Sequence, residues 1–171
     1  MKEYLLTDIV AWAIKIEQQG ELFYEKACGY TDDSEIKKLF MYLKSEEVKH
    51  IRRFNRLGNS FRKSNAFFSV DTRFEDLLDA FMRGMAFFDV SEIRDKIARR
   101  KDRNTQDLLR LAMDIELNTI LFYRTIDEYA KSGPVRKALK TIIHEEEAHL
   151  VKLKGVRKEK DPLYGEFRPL L

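Results

Sequence analysis

The chain has one cysteine in 171 residues, Cys28. A lone thiol excludes a disulfide framework and any multi-cysteine zinc or iron–sulfur site. Net charge is scarce as well: 32 Lys and Arg against 29 Asp and Glu leave +3. That balance, with no basic stripe interleaved with aromatics, speaks against a nucleic-acid partner. No apolar run approaches a membrane span, so no membrane partner is expected. The start, Met1-Lys2-Glu3-Tyr4-Leu5-Leu6, carries an early acid and no long apolar core, so it does not read as a signal peptide. The expectation is a soluble, cytoplasmic protein. Asn and Gln are few beside 36% charged residues, a composition that resembles proteins from hot environments. Strand-type alternation is lacking too, and no strand pattern competes with the helical periodicity described next.

An apolar share of 44% and this length suit one folded domain with a real core. The first helix is expected over about 7–28, with a seam of Leu6, Ile9, Val10, Ala13, Ile16, Gly20, Phe23 and Ala27. Gly29 reads as its stop, and Asp32 with Glu35 as a capping box for the next helix. That second helix, about 33–57, has the seam Ile36, Phe40, Leu43, Glu47, His50, Phe54 and ends at Gly58. The third, about 104–131, carries Leu108, Ala112, Ile115, Glu116, Thr119, Phe122, Tyr123 and Ile126. Pro134 suits the first position of the fourth helix, about 134–154, whose seam is Val135, Leu139, Ile142, Glu146, His149, Leu153.

Two hairpins follow, at about 5–58 and 104–155, making a four-helix bundle over 1–155. Between them lies a partly helical crossover, 59–103. It opens with an aromatic loop from Ser60 to Val70, then a helix starting near Thr72 and a short one from Ser91 to Arg100. The segment 156–171, with Pro162 and Pro169, reads as an extended tail. The fold class is all-α.

The hairpins are copies. Ala13/Ala112, Ile16/Ile115, Glu17/Glu116, Phe23/Phe122, Tyr24/Tyr123, Glu47/Glu146 and His50/His149 all stand 99 residues apart. Glu47 and His50, like Glu146 and His149, form a Glu-x-x-His that falls on the buried stripe, where charge does not belong. Within each hairpin the two glutamates lie 15 residues either side of the turn, roughly 22 Å from it at about 1.5 Å per residue. Four carboxylates therefore meet at one level. A three-residue step puts Glu and His on one helix face, so both can reach one metal. Four buried carboxylates repel and resist ionisation, and two divalent cations cancel four negative charges. Oxygen-rich ligands with two imidazoles suit iron or manganese.

The doubled Glu-x6-Tyr followed by Glu-x-x-His resembles the ferritin-like di-iron carboxylate superfamily, above all its rubrerythrin branch. The resemblance covers the two hairpins, about 100 of the 171 residues. It implies two iron ions, diferrous or oxygen-bridged, with manganese or zinc able to substitute. Glu47 and Glu146 would bridge them, Glu17 and Glu116 would be terminal carboxylates, and His50 and His149 terminal imidazoles. Tyr24 and Tyr123 would donate hydrogen bonds to carboxylates. The implied activity is that of an oxidoreductase reducing hydrogen peroxide or dioxygen in oxidative-stress defence. Alternatives are a non-catalytic metal-binding bundle, or a ferroxidase or hydroxylase of the same superfamily.

Two departures accompany the resemblance. One cysteine cannot build the four-cysteine rubredoxin-like module of rubrerythrins, so electrons would come from a separate rubredoxin-like donor. The extra glutamate that rubrerythrins carry one turn from the third-helix ligand is missing, since Ala112, Met113, Thr119 and Ile120 stand there. A homodimer is expected from the aromatic crossover and tail, with a connection long enough to exchange hairpins. Glu46, Glu145 and Glu147 read as solvated helix-face charges, His144 as a surface or supporting residue, and Cys28 and Trp12 as packing.

Overall fold

The four periodic stretches are helices in the computed structural model, which describes residues 2–61, 67–70, 74–76, 78, 105–130 and 132–160. They are α1 (Leu6–Ala27), α2 (Ser34–Phe61), α3 (Thr105–Tyr129) and α4 (Gly133–Lys160). The expected helices of the crossover lie outside the described residues, except that 74–76 and 78 are helical. Of the expected extended tail, 156–160 belong to α4, and 161–171 lie outside the described residues.

Local chemistry sets the helix ends. Asp33, not Asp32, caps α2: its Oδ1 accepts from the N–H groups of Glu35 (2.9 Å) and Ile36 (3.3 Å). Its own N–H donates to Thr31 Oγ1 at 3.2 Å. Gly29 is no left-handed cap, since no described glycine has a positive φ. Instead α1 ends in a tightened turn, with Gly29 N–H donating to Lys26 O (2.9 Å) and Tyr30 N–H to Ala27 O (3.0 Å). The fourth helix runs through Gly155 to Lys160, past the expected stop near Lys154. Its last residue explains the extension: Lys160 Nζ pairs with Asp33 Oδ2 at 3.0 Å and with Glu35.

A short ribbon is an addition to the expected all-helical chain. β1 (Lys2–Leu5) pairs antiparallel with β2 (Phe67–Val70), Lys2 opposite Val70 and Leu5 opposite Phe67. The strand β2 occupies part of what reads in sequence as a loop. At four residues each, neither strand is long enough to declare a period-two pattern.

Helix α1 packs against α2 and α3 against α4; α1 also borders α3, and α2 borders α4. The turn after α1 meets the start of α3, where the hydroxyls of Thr31 and Thr105 lie 3.4 Å apart. The hairpins therefore point in opposite directions. Their apolar seams make two cores. One gathers Leu6, Ile9, Val10, Phe54, Ile126, Leu139 and Ile142, joined by Phe74 and Leu78. The other gathers Phe23, Ile36, Phe40, Leu43, Leu108, Leu109 and Leu153. Each such side chain contributes about 1.5–3 kcal/mol on burial. The polar cluster sits between the two cores, with apolar packing on both sides to hold it dry.

Candidate metal centre

Six charged or titratable side chains interrupt the seams and meet at mid-bundle. Glu17 and Glu146 expose 0% of their surface, Glu116 and His50 1%, His149 2% and Glu47 4%. Burying isolated ions costs on the order of several kcal/mol each, so this arrangement needs compensating charge.

Geometry divides the six into two overlapping groups. Glu17, Glu47, His50 and Glu146 offer ligand atoms all within 4.8 Å of one another, and so do Glu47, Glu116, Glu146 and His149. Glu47 and Glu146 belong to both. Each group could hold one cation, and the shared pair would lie between the two. Both imidazoles turn Nδ1 inward. His50 Nδ1 is 3.0 Å from Glu17 Oε2 and 3.0 Å from Glu146 Oε1. His149 Nδ1 is 2.8 Å from Glu146 Oε2 and 3.7 Å from Glu116 Oε2. The rings stack with centroids 5.8 Å apart.

Protons supply the compensating charge in the metal-free chain. Burial works to lower the His50 pKa, but the Glu146 and Glu17 carboxylates beside it outweigh that and raise it to about 11. The same contest, with Glu116 and Glu146 as partners, leaves His149 raised to about 9. Burial and the neighbouring Glu146 charge push Glu116 up to about 8. Glu47 is raised well above the carboxylate range by burial, then by Glu146 and Glu17. Burial presses Glu146 the same way, yet the two imidazoles hold it below its ordinary value. Even so, Glu146 Oε1 has no hydrogen-bond donor: one Nδ1–H of His50 stands near two carboxylates and is directed to Glu17. An orphaned inward oxygen, four carboxylates and two imidazoles with Nδ1 facing them fit divalent cations.

Two tyrosines cross between the hairpins. The Tyr24 hydroxyl on α1 donates to Glu116 Oε1 on α3. The Tyr123 hydroxyl on α3 donates to Glu17 Oε1 on α1. Both are fully buried, and burial, then carboxylate charge, raises both well above the ordinary phenol value. They stay protonated donors.

Three residues near the cluster escaped the sequence reading or were read differently. Glu145 is not a solvated face charge. Its Oε2 lies 3.0 Å from His50 Nε2, and Arg53 clasps both of its oxygens, Nη2 to Oε1 at 3.2 Å. The available signal was that Glu46 and Glu145, each just before the seam glutamate, are both kept by the duplication. Gly20 reads as a seam position, but it is a clearance: an added Cβ would lie 2.9 Å from Glu47 Cδ. Its duplicate, Thr119, is buried on α3. Glu147 does face outward, pairing with Arg124, whereas Glu46, paired with Lys49 at 2.7 Å, keeps only 14% of its side chain exposed and is not the solvated charge expected.

No family model matches the chain, and no curated protein does. Among solved structures, the chain is similar to a crystal structure at 2.30 Å of a Thermotoga maritima protein assigned to the ferritin-like diiron-carboxylate proteins. The identity is 23% and the TM-score 0.68, over 94% of this chain and 99% of that one. No described helix is long and apolar enough to cross a membrane. The fold of this chain is the ferritin-like helical bundle.

Proposed function

We propose that the chain is a di-iron carboxylate oxidoreductase that reduces hydrogen peroxide or dioxygen. Glu47 and Glu146 would serve both cations, Glu17 and His50 would complete one position, and Glu116 with His149 the other. The observation that carries the reading is the sharing of Glu47 and Glu146 by two otherwise separate ligand groups. A pair of ferrous ions held there supplies two electrons to the oxidant.

The chain's own residues do the rest. The glutamates and imidazoles fix the two positions side by side between dry apolar cores. Tyr24 and Tyr123 hold one oxygen each of Glu116 and Glu17, which leaves the other oxygen of each for a ligand bond. Protons carried by the histidines and by Glu116 and Glu47 in the metal-free chain leave when cations enter. A separate rubredoxin-like protein returns the electrons, and two chains associate as a dimer.

Anaerobic Fe(II) titration tests the reading, followed by stopped-flow absorbance with peroxide and, separately, with dioxygen. Two irons per chain and fast oxidation by peroxide are expected. Fast oxidation by dioxygen alone would move the activity to an oxidase, ferroxidase or hydroxylase. A filled site inert to both oxidants would make the bundle a metal-handling one.

A further inference from the structure

The duplication places the two histidines in matching frames and gives them different company. Glu145 corresponds to Glu46, Arg53 to Lys152, and Tyr42 to Thr141. Glu145 reaches from α4 to His50 Nε2 on α2 and is clasped by Arg53. The reciprocal arrangement is missing. Glu46 is bound by Lys49 on its own helix at 2.7 Å. Lys152 Nζ lies 5.4 Å from the centre of the Tyr42 ring. That ring packs edge-on against His149, centroids 6.1 Å apart at 88°. Among the described residues, the carboxylates within ion-pair distance of His149 all face its Nδ1.

We propose, resting on the metal-binding reading above, that Glu145 held by Arg53 makes the position at Glu17 and His50 the tighter of the two, so that the first cation enters there and the second at Glu116 and His149. A carboxylate accepting from Nε2–H fixes the imidazole tautomer with its Nδ1 lone pair facing the cluster, orients the ring and makes it a stronger donor. The two-pronged Arg53 contact keeps Glu145 from swinging elsewhere. His149 has an aromatic edge instead, which packs the ring without adding negative charge behind it. Glu145 and Arg53 are thus positioning residues that act through His50.

Repulsion between two cations also weakens the second step, whichever position fills first. The experiment therefore has to identify the position. The metal-free chain is titrated anaerobically with Co(II), followed by visible absorbance and proton NMR. At one equivalent a single hyperfine-shifted imidazole N–H is expected, slow to exchange because Glu145 holds it. Glu145→Ala should weaken the first step by at least about tenfold, leave the second unchanged and make that N–H exchange fast. Glu46→Ala, the duplicate control, should leave the first step unchanged. Glu145→Gln keeps an acceptor on Nε2–H, so it should restore the slow N–H while recovering only part of the affinity. It also serves if the alanine variant does not fold. Two N–H signals of equal intensity at one equivalent, or a first step unmoved in both Glu145 variants, overturns the order. Absence of Co(II) binding to the unmodified chain overturns the metal reading itself and the order with it.

Discussion

The Tyr123 hydroxyl on α3 donates to Glu17 on α1, 106 residues away in sequence. With the Tyr24–Glu116 contact it forms a crossed pair that ties the two hairpins through the polar layer. Other polar contacts also cross between the hairpins, Arg53 with Glu145 and Lys160 with Asp33 among them, whereas the apolar side chains between them specify no register along the bundle axis. These hydroxyls do specify one. Tyr123→Phe removes the donor and leaves a buried carboxylate oxygen short of a partner. The expected cost is about 1–3 kcal/mol in the metal-free protein, read by urea denaturation. Tyr24→Phe should cost a similar amount. Unchanged midpoints in both would mean that water replaces the hydroxyls.

Gly20 and Gly155 make a matched test of clearance. A Cβ at Gly20 would stand 2.9 Å from Glu47 Cδ, whereas at Gly155 it would meet nothing within 4 Å. Both glycines lie inside helices, so alanine should stabilise each by roughly 0.5–1 kcal/mol through the unfolded chain alone. At Gly155 that gain should appear undiminished, with metal binding unaltered. At Gly20 the Glu47 carboxylate must move, so Gly20→Ala should weaken metal binding by about tenfold or more. Calorimetric titration with Co(II) checks both.

Much of this arrangement was legible because the chain states it twice. Glu47 and His50 break an otherwise apolar four-three stripe, and Glu146 and His149 repeat the break. Equal spacing about each turn then fixes the height, and the six side chains do meet at one level. The tyrosine contacts cross between hairpins, and the spacing along one hairpin carries no such information. Glu145 was misread for a related reason. Its partners, His50 and Arg53, are on another helix, and a lone glutamate on an outward-turning position looks solvated. The ribbon stayed hidden because its two strands are four residues each and more than 60 residues apart. Gly20 shows a third kind of loss, since a missing side chain leaves no pattern beyond a gap in the seam.

Glu47→Gln separates stability from binding. Burial first, then Glu146 and Glu17, raise the Glu47 pKa well above its ordinary value, so the metal-free chain favours its neutral form. Glutamine copies that neutral form. The variant should melt at or above the unmodified metal-free chain, with the difference growing as pH rises and the glutamate is pressed to ionise. It should also bind at most one cation per chain, because a shared oxygen donor is lost to both groups. A gain in stability with a loss of function is expected where buried charge is kept for a ligand. Thermal melts and elemental analysis of the loaded variant decide the matter; full two-metal loading would remove Glu47 from its bridging place.

The protons that stand in for cations give the last prediction its sign. His50 at about 11 and His149 at about 9 lie above the ordinary histidine value of 6.5, and Glu116 at about 8 lies above 4.5. A raised folded-state pKa means that the folded chain binds the proton more tightly than the unfolded one. That contribution is complete below the unfolded value and is lost as pH rises through the folded one. The metal-free chain should therefore start to lose stability above about pH 4.5 through Glu116, and go on losing it through pH 9 toward 11 through His149 and His50. Glu146 and Glu145, held below their ordinary values, act oppositely and only toward acid. A fall of about 5 °C or more is expected between pH 6.5 and 9, since each kcal/mol moves the midpoint by roughly 2–4 °C at this size. Cations need the neutral imidazoles and the carboxylates ionised, so loading must expel these protons. Apparent affinity should then rise with pH while metal-free stability falls. Calorimetric titrations at pH 7 in buffers of different ionisation enthalpy should give more than one proton released per chain on full loading. Zero release would mean that the histidines and Glu116 enter the site already deprotonated, and that something other than protons balances the buried charge.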